Sequence, residues 1–380
     1  MAEPAYLIDG VRTPFGKRGG ALSEWTSIDL GSAVISELVS RHPGVTQADA
    51  VLMGVVVQAG LGQNPARNAA YRSGIKLDVP AMTLNNVCLA GLDSVCDGSR
   101  RINASEGEMY VVGGFDSMSR HASIATAPGA EPIGAVDFDG LTCSLSGEGM
   151  GLLSDKMNDE LNVGRDAQDN WAFESHRRAA AAPFAETGEI MTLTVDDAPM
   201  SSDEGIRRDT SPEALARLKP AFMAEGTITA GNAAQMTDGA SAGLVGTRDV
   251  AEKLGQEPLG RIAGWSYTAG PDASLHLKPA QAIGDLLAKR GLGIADVDLF
   301  EINEAFAGVV VASCQKLGIP DDVVNVNGGA IALGHPLGGT GFRLLHTLAL
   351  ELKRRDLHRG IATLCGGGGQ GLAVLIERDH

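Results

Sequence analysis

The chain has 380 residues, 44% of them hydrophobic and only 4% aromatic, and a formal charge of −16. This length provides for two or three domains and a large buried core. The acidic balance excludes a nucleic-acid surface, which needs clustered positive charge to displace counterions from phosphates. Five cysteines without a C-x-x-C pair suit neither a disulfide framework nor a zinc ribbon, so a reducing, cytoplasmic setting is expected.

The opening stretch "MAEPAYLIDGVRTPFGK" reads as a strand followed by a turn, without the basic and long apolar regions of a signal peptide. No apolar run approaches the ~18 residues that cross a bilayer. Next, "AVISELVSRHPGVTQADAVLMGVVV" gives an amphipathic helix, a turn and an apolar strand, and the same order returns in "AIGDLLAKRGLGIADVDLFEIN". A second pair, "GEMYVVGGFDSMS" and "GIATLCGGGGQG", shows a strand running into glycines in each half. Two similar halves of alternating helix and strand, 1–119 and 241–380, predict an α/β fold of parallel strands covered by helices. Residues 120–240 repeat nothing and read as an inserted domain, placed beyond a strand's carboxyl end where α/β proteins bind ligands.

Four places carry residue types with chemistry. Cys88, in "MTLNNVCLAGLDSV", stands where a strand gives way to a helix. There the helix dipole and free N–H groups favour a thiolate nucleophile; the bland alternative is a small buried hydrophobe. Asn303 and Glu304, in "DLFEINEAFAG", either cap a helix or hold a water or carbonyl. His335 lies in "NGGAIALGHPLGGTG", a run with neither the position and spacing of a dinucleotide fingerprint nor a P-loop lysine. No second ligand stands at metal spacing, so no metal is expected. His42, His121, His176, His276, His346, His358 and His380 sit in ordinary contexts and are expected to be packed or solvated. Cys365 precedes four glycines, which suggests backbone amides approaching a ligand with no Cβ in the way.

Taken in order, "NNVCLAG", "GTITAGNAAQMTDGAS", "INEAFA", "NGGAIALGHPLGGTG" and "ATLCGGGGQG" closely resemble the thiolases, the acetyl-CoA acyltransferases, and the resemblance covers essentially the whole chain. It implies two βαβαβ-type halves packed in α-β-α-β-α layers, with the insert as the loop domain that binds coenzyme A. It implies that Cys88 takes the acyl group after His335 removes its proton, and that Cys365 is the acid/base at the α-carbon. One oxyanion site would be His335 with a water held by Asn303, the other the N–H groups of Cys88 and Gly367. Arg207 matches the position beside the adenine, with Phe222 its neighbour. Ala230 and Ala234 fall in the block nearest the pantetheine arm, and Met150 and Phe306 line the acyl end. Coenzyme A and acyl-CoA are then substrates with no permanently bound cofactor, and a homodimer or homotetramer is expected.

The chain departs from the family pattern at several points. Gly149 stands where short-chain biosynthetic members have a histidine, and Ala234 where a serine is usual. "LHLKP", Leu275 to Pro279, replaces Met-Gly-x-Gly-Pro, and the segment after "DSMSR" is short and lacks the basic residues of a tetramerisation loop. These changes suggest a 3-oxoacyl-CoA longer or bulkier than acetoacetyl-CoA. The rivals are a ketoacyl-synthase-like enzyme, whose family lacks the second reactive cysteine, and an acyl-CoA-binding relative without turnover.

Overall fold

The computed structural model describes residues 3–378; His380 lies outside them. The N-terminal half begins with β1 (Tyr6–Arg12) and α1 (Ser27–Arg41). Helix α1 starts where Thr26 Oγ1 accepts from the Asp29 amide at 3.1 Å and Asp29 answers the Thr26 amide at 3.0 Å, a reciprocal cap. Then follow β2 (Ala50–Gly54), β3 (Ala81–Leu84), α2 (Ala90–Asn103) and β4 (Met109–Asp116). The insert contributes α3 (Met150–Glu160) and α4 (Arg165–Ala181) before the chain returns in β5 (Thr237–Gly246). The C-terminal half holds β6 (Gly260–Ala269), α5 (Lys278–Arg290), β7 (Leu299–Ile302), α6 (Ala307–Leu317), α7 (Leu337–Arg355), β8 (Arg359–Gly366) and β9 (Gln370–Glu377).

The strand order is β7-β8-β9-β6-β1-β5-β4-β2-β3, and the two half-sheets meet edge to edge where Tyr6 and Leu7 pair with Arg261 and Gly260. Strands β2 and β3, β2 and β4, and β7 and β8 run parallel, as the helix-strand repeats require. The remaining ladders are antiparallel, so the parallel strands expected from the helix-strand alternation make up only part of the sheet. A tight turn at 367–369 forces β8 and β9 into a hairpin. Strand β5 completes the N-terminal sheet between β1 and β4, so the C-terminal half begins after Gly246 rather than at 241.

Period-two alternation sends each strand's side chains to different layers. Leu52 and Val112 of one sheet and Leu364 and Leu372 of the other pack on Leu92 and Val95 of α2 and Leu344 and Leu348 of α7, so these two helices form a central layer. Val51 and Met53 face Val34 and Leu38 of α1 on one outer side. Phe300 and Ile361 face Ile283 of α5 and Val310 of α6 on the other. The result is five layers, α-β-α-β-α. At the centre the backbones touch: a Cβ added to Gly91 of α2 or Gly114 of β4 would lie 2.2 or 2.1 Å from the Gly338 carbonyl oxygen of α7. Part of the glycine run after His335 therefore serves helix packing.

The insert is tied to β1 by Arg12, whose guanidinium bonds both Asp203 oxygens at 2.6 and 2.8 Å and Glu189 at 2.6 Å, all buried. It is tied to the C-terminal half by Glu304. That carboxylate accepts from Trp171 Nε1 (2.9 Å) and Ser175 Oγ (2.7 Å) on α4, Asn325 Nδ2 (3.0 Å) and the Ile331 amide (3.0 Å). Glu304→Ala leaves these four donors unpaired, and since each unpaired buried donor costs about 1–3 kcal/mol, the expected loss of stability is at least about 4 kcal/mol, read as a lower thermal midpoint.

Candidate active site

Cys88, His335 and Cys365 come from three separate segments and line one apolar cavity of about 290 Å³, together with Gly367, Met150, Phe306, Phe222 and Ala234. Cys88 sits in the turn between β3 and α2. Asn85 Oδ1 holds the Val87 amide at 3.1 Å, and Val87 takes a positive φ of 49°, which leaves the next residue facing the turn at the end of β8. The N–H of Gly367 and the N–H of Cys88 itself point at the Cys88 sulfur. Helix position alone predicts a thiolate. Burial outweighs the amides, however, and pushes the thiol up to about 11.

A thiolate fraction grows tenfold per pH unit below its pKa. The rate of alkylation by iodoacetamide should therefore climb about tenfold per unit from roughly pH 7 to 10, without levelling near the ~8.5 of a free cysteine. A plateau at or below that value would remove the claim that the resting nucleophile is a thiol.

His335 follows Gly334, whose φ of +111° suits glycine alone and whose missing Cβ would lie 2.3 Å from Thr237 Cγ2. Its backbone N–H donates to the Gln235 carbonyl at 2.9 Å. The ring contacts settle the tautomer. Thr340 Oγ1 donates its one proton to the Pro336 carbonyl at 2.8 Å, so His335 Nδ1, 2.7 Å away, must be the donor to that hydroxyl. Nε2 is left with a lone pair, and Asn303 Nδ2 donates to it at 3.3 Å. Burial, with Arg343 of α7 adding positive charge, pushes the imidazolium pKa down to about 3. His335 is thus a neutral base at Nε2.

Cys365, at the end of β8, is buried, and both burial and the neighbouring Cys88 raise its thiol pKa. Two thiolates side by side repel each other, so the pair holds at most one negative charge near neutrality. Of the glycines that follow, Gly367 faces the cavity. Gly369 and Gly371 instead admit other backbone: a Cβ there would lie 2.0 Å from the Asp272 oxygen and 2.6 Å from the Lys278 oxygen.

Asn303 therefore stands at His335, whereas Glu304 holds the framework. Phe222 meets Phe306 edge-on with centroids 6.1 Å apart. Arg207 and Ala230 are exposed on the insert, outside the cavity lining, and the Arg207 N–H donates to buried His176 Nδ1 of α4 at 3.1 Å. Sequence reading missed Met118, Leu141, Gln235 and Leu337 of the lining, and named Leu275 only as a departure from the family pattern. It also missed Asp116, the buried last residue of β4, which accepts from the amides of Val57 (3.0 Å), Val56 (3.2 Å) and Gly338 (2.6 Å). Burial pushes its carboxyl up to about 6 against those donors. An acidic residue closing the apolar run "YVVGGFD" was the available signal.

Two thiols and a neutral imidazole on one apolar cavity, carried by a pair of similar α/β halves, define an acyl-transferring enzyme. Residues 5–249 match the model of the thiolase N-terminal domain and residues 256–378 that of the thiolase C-terminal domain: the chain belongs to the thiolase family. It is 41% identical over 392 residues to a probable acetyl-CoA acetyltransferase of Mycobacterium leprae, covering 98% of this chain and 99% of that one. It is 40% identical to the acetyl-CoA acetyltransferase of Escherichia coli, covering 98% of each. The crystal structure of the Bacillus anthracis acetyl-CoA acetyltransferase superposes with a TM-score of 0.93 at 32% identity, covering 99% of both chains.

Proposed function

We propose that this enzyme cleaves a 3-oxoacyl-CoA with coenzyme A into acetyl-CoA and a shortened acyl-CoA, and catalyses the reverse condensation, through an acyl thioester on Cys88. The observation that carries the reading is the meeting of Cys88, His335, Cys365 and the Gly367 amide at one cavity. His335 Nε2 takes the Cys88 proton as the sulfur attacks the 3-oxo carbon. Collapse of the adduct breaks the C2–C3 bond, and Cys365 gives its proton to C2, releasing acetyl-CoA. A coenzyme A thiol then gives its proton to the Cys365 thiolate and takes the acyl group, and the departing Cys88 sulfur recovers its proton from His335. The N–H groups of Cys88 and Gly367 hold the thioester oxygen, and His335 with a water held by Asn303 the enolate oxygen.

Coenzyme A is a substrate in this scheme. Its arm enters along the insert, the loop domain, past Phe222 and Ala234, with Arg207 near the outer end. Gly149 and Ala234 offer no side-chain hydrogen bond at the cavity, and Leu141, Met118, Leu275 and Leu337 make its walls apolar. These features favour acyl chains longer or bulkier than that of acetoacetyl-CoA. Five free cysteines fit a reducing cytoplasm, and among the described residues no helix is long and apolar enough to cross a membrane. The half-exposed edge strand β3 supports a homodimer or a larger homo-oligomer, since unpaired edges invite a second strand.

The test is thiolysis across a series of 3-oxoacyl-CoA lengths. The reading predicts kcat/KM rising beyond acetoacetyl-CoA; a value for acetoacetyl-CoA far above every longer homologue overturns the longer-chain preference, and no thiolysis of any member overturns the activity.

A further inference from the structure

The cavity has two unlike ends, and the chemistry assigns them. Cys365 exchanges a proton with C2, so the walls packed around it, Leu275, Met150 and Phe306, meet C2 and its substituents. The chain beyond C3 must then lie on the side of Cys88. There a separate apolar cluster of Val56, Val57, Met118, Val136 and Leu337 is joined by partly buried Leu141 and Ile124.

This second end is closed by an unusual turn. Val136–Gly140 is a π-helical turn, with the Leu141 amide reaching back to the Val136 carbonyl at 3.0 Å and Thr142 Oγ1 bonding the Asp137 carbonyl at 2.7 Å. π-Helical turns are rare and recur at functional sites. Here the residue delivered to the wall is Gly140, buried and lining the cavity. A Cβ on it would lie 2.8 Å from Leu337 Cδ1 and 3.9 Å from Val57 Cγ2. Any side chain at 140 therefore grows into the space beside Leu337. Its φ lies outside the left-handed region, so conformation does not demand glycine there; space does.

We propose that the acyl tail lies between Cys88 and the 136–140 turn, and that Gly140 with Leu337 sets its length. This rests on the thiolase reading above and names the part of the acyl group that selects the substrate: a saturated chain extending beyond the four carbons of acetoacetyl-CoA. Each methylene buried there strengthens binding about fourfold, so a few methylenes produce a selectivity on the order of 10²-fold.

The test is the rate of Cys88 acylation by acetyl-, butanoyl-, hexanoyl- and octanoyl-CoA, followed by intact mass in wild type, Gly140→Val and Leu337→Ala. The expected result is an octanoyl-to-acetyl rate ratio at least roughly thirtyfold lower in Gly140→Val, the equivalent of losing two to three methylene contacts, and higher than wild type in Leu337→Ala. Ratios within about threefold of wild type in both variants, a difference below one methylene contact, overturn the pocket assignment, as does a shift of both in the same direction. Should Gly140→Val not fold, the direction of the Leu337→Ala shift decides alone. A wild type that acylates Cys88 with no acyl-CoA defeats the thiolase reading itself, a result distinct from full acylation with unmoved ratios.

Discussion

Replacing Cys88 with alanine should lower thiolysis by on the order of 10⁴-fold or more, because the two-step route disappears with its nucleophile and only binding and the amide donors remain. The informative comparison is Cys365→Ala. Both thiols face one cavity, yet the account gives them different bonds to make, one to the acyl carbon and one to a proton. Cys365→Ala should lose C2–C3 cleavage by a factor on the order of 10²–10⁴, the usual worth of a general acid or base, while still accepting an acyl group on Cys88 from a simple acyl-CoA. Cys88→Ala should lose both half-reactions. Acyl exchange between acyl-CoA and labelled coenzyme A separates the two. Equal loss of exchange in both variants would contradict the division of labour.

His335→Ala is the second large effect. The ring has two tasks: Nε2 takes the thiol proton, worth about 10²–10⁴-fold, and afterwards the ring helps hold an oxyanion, worth about 10²–10³-fold when a single donor is lost. With a resting thiol pushed up to about 11, little thiolate forms without a base. Cys88 acylation near neutral pH should therefore fall by on the order of 10⁴-fold or more. Raising the pH should recover part of it, since hydroxide then does the work of the base. The neutral ring state, held by burial and Arg343 down to about pH 3, means that His335 contributes no acid limb to the free-enzyme pH profile between roughly pH 5 and 8, where an unperturbed histidine titrates. Acylation in His335→Ala as fast as in wild type would overturn the assignment.

Much of this site was legible in the sequence because its signals are local. The repeated helix-turn-strand order predicted α1 and β2 in one half and α5 and β7 in the other, and "NNVCLAG", "INEAFA", "GHP" and "TLCGG" named the residues that line or adjoin the cavity. What sequence could not reveal depends on neighbours distant in the chain. The glycines after Cys365 read as room for amides to approach a ligand, yet Gly369 and Gly371 meet the 272–278 backbone, and Gly338, in the run after His335, meets Gly91 and Gly114. A missing side chain signals close approach without naming what approaches. Asp116 was overlooked for the same reason: its importance comes from amides at Val56, Val57 and Gly338, contributed by two other parts of the chain. The helix N-terminus beside Cys88 is visible in sequence; the burial that pushes its thiol up to about 11 is not.

The most direct test of the account is peptide mapping of the enzyme after brief incubation with acetyl-CoA and acid quench. The account predicts one acetyl group per chain, on Cys88, abolished in Cys88→Ala and retained in Cys365→Ala. An acetyl group found on Cys365, or no adduct on Cys88 in an enzyme that still turns over, would contradict it.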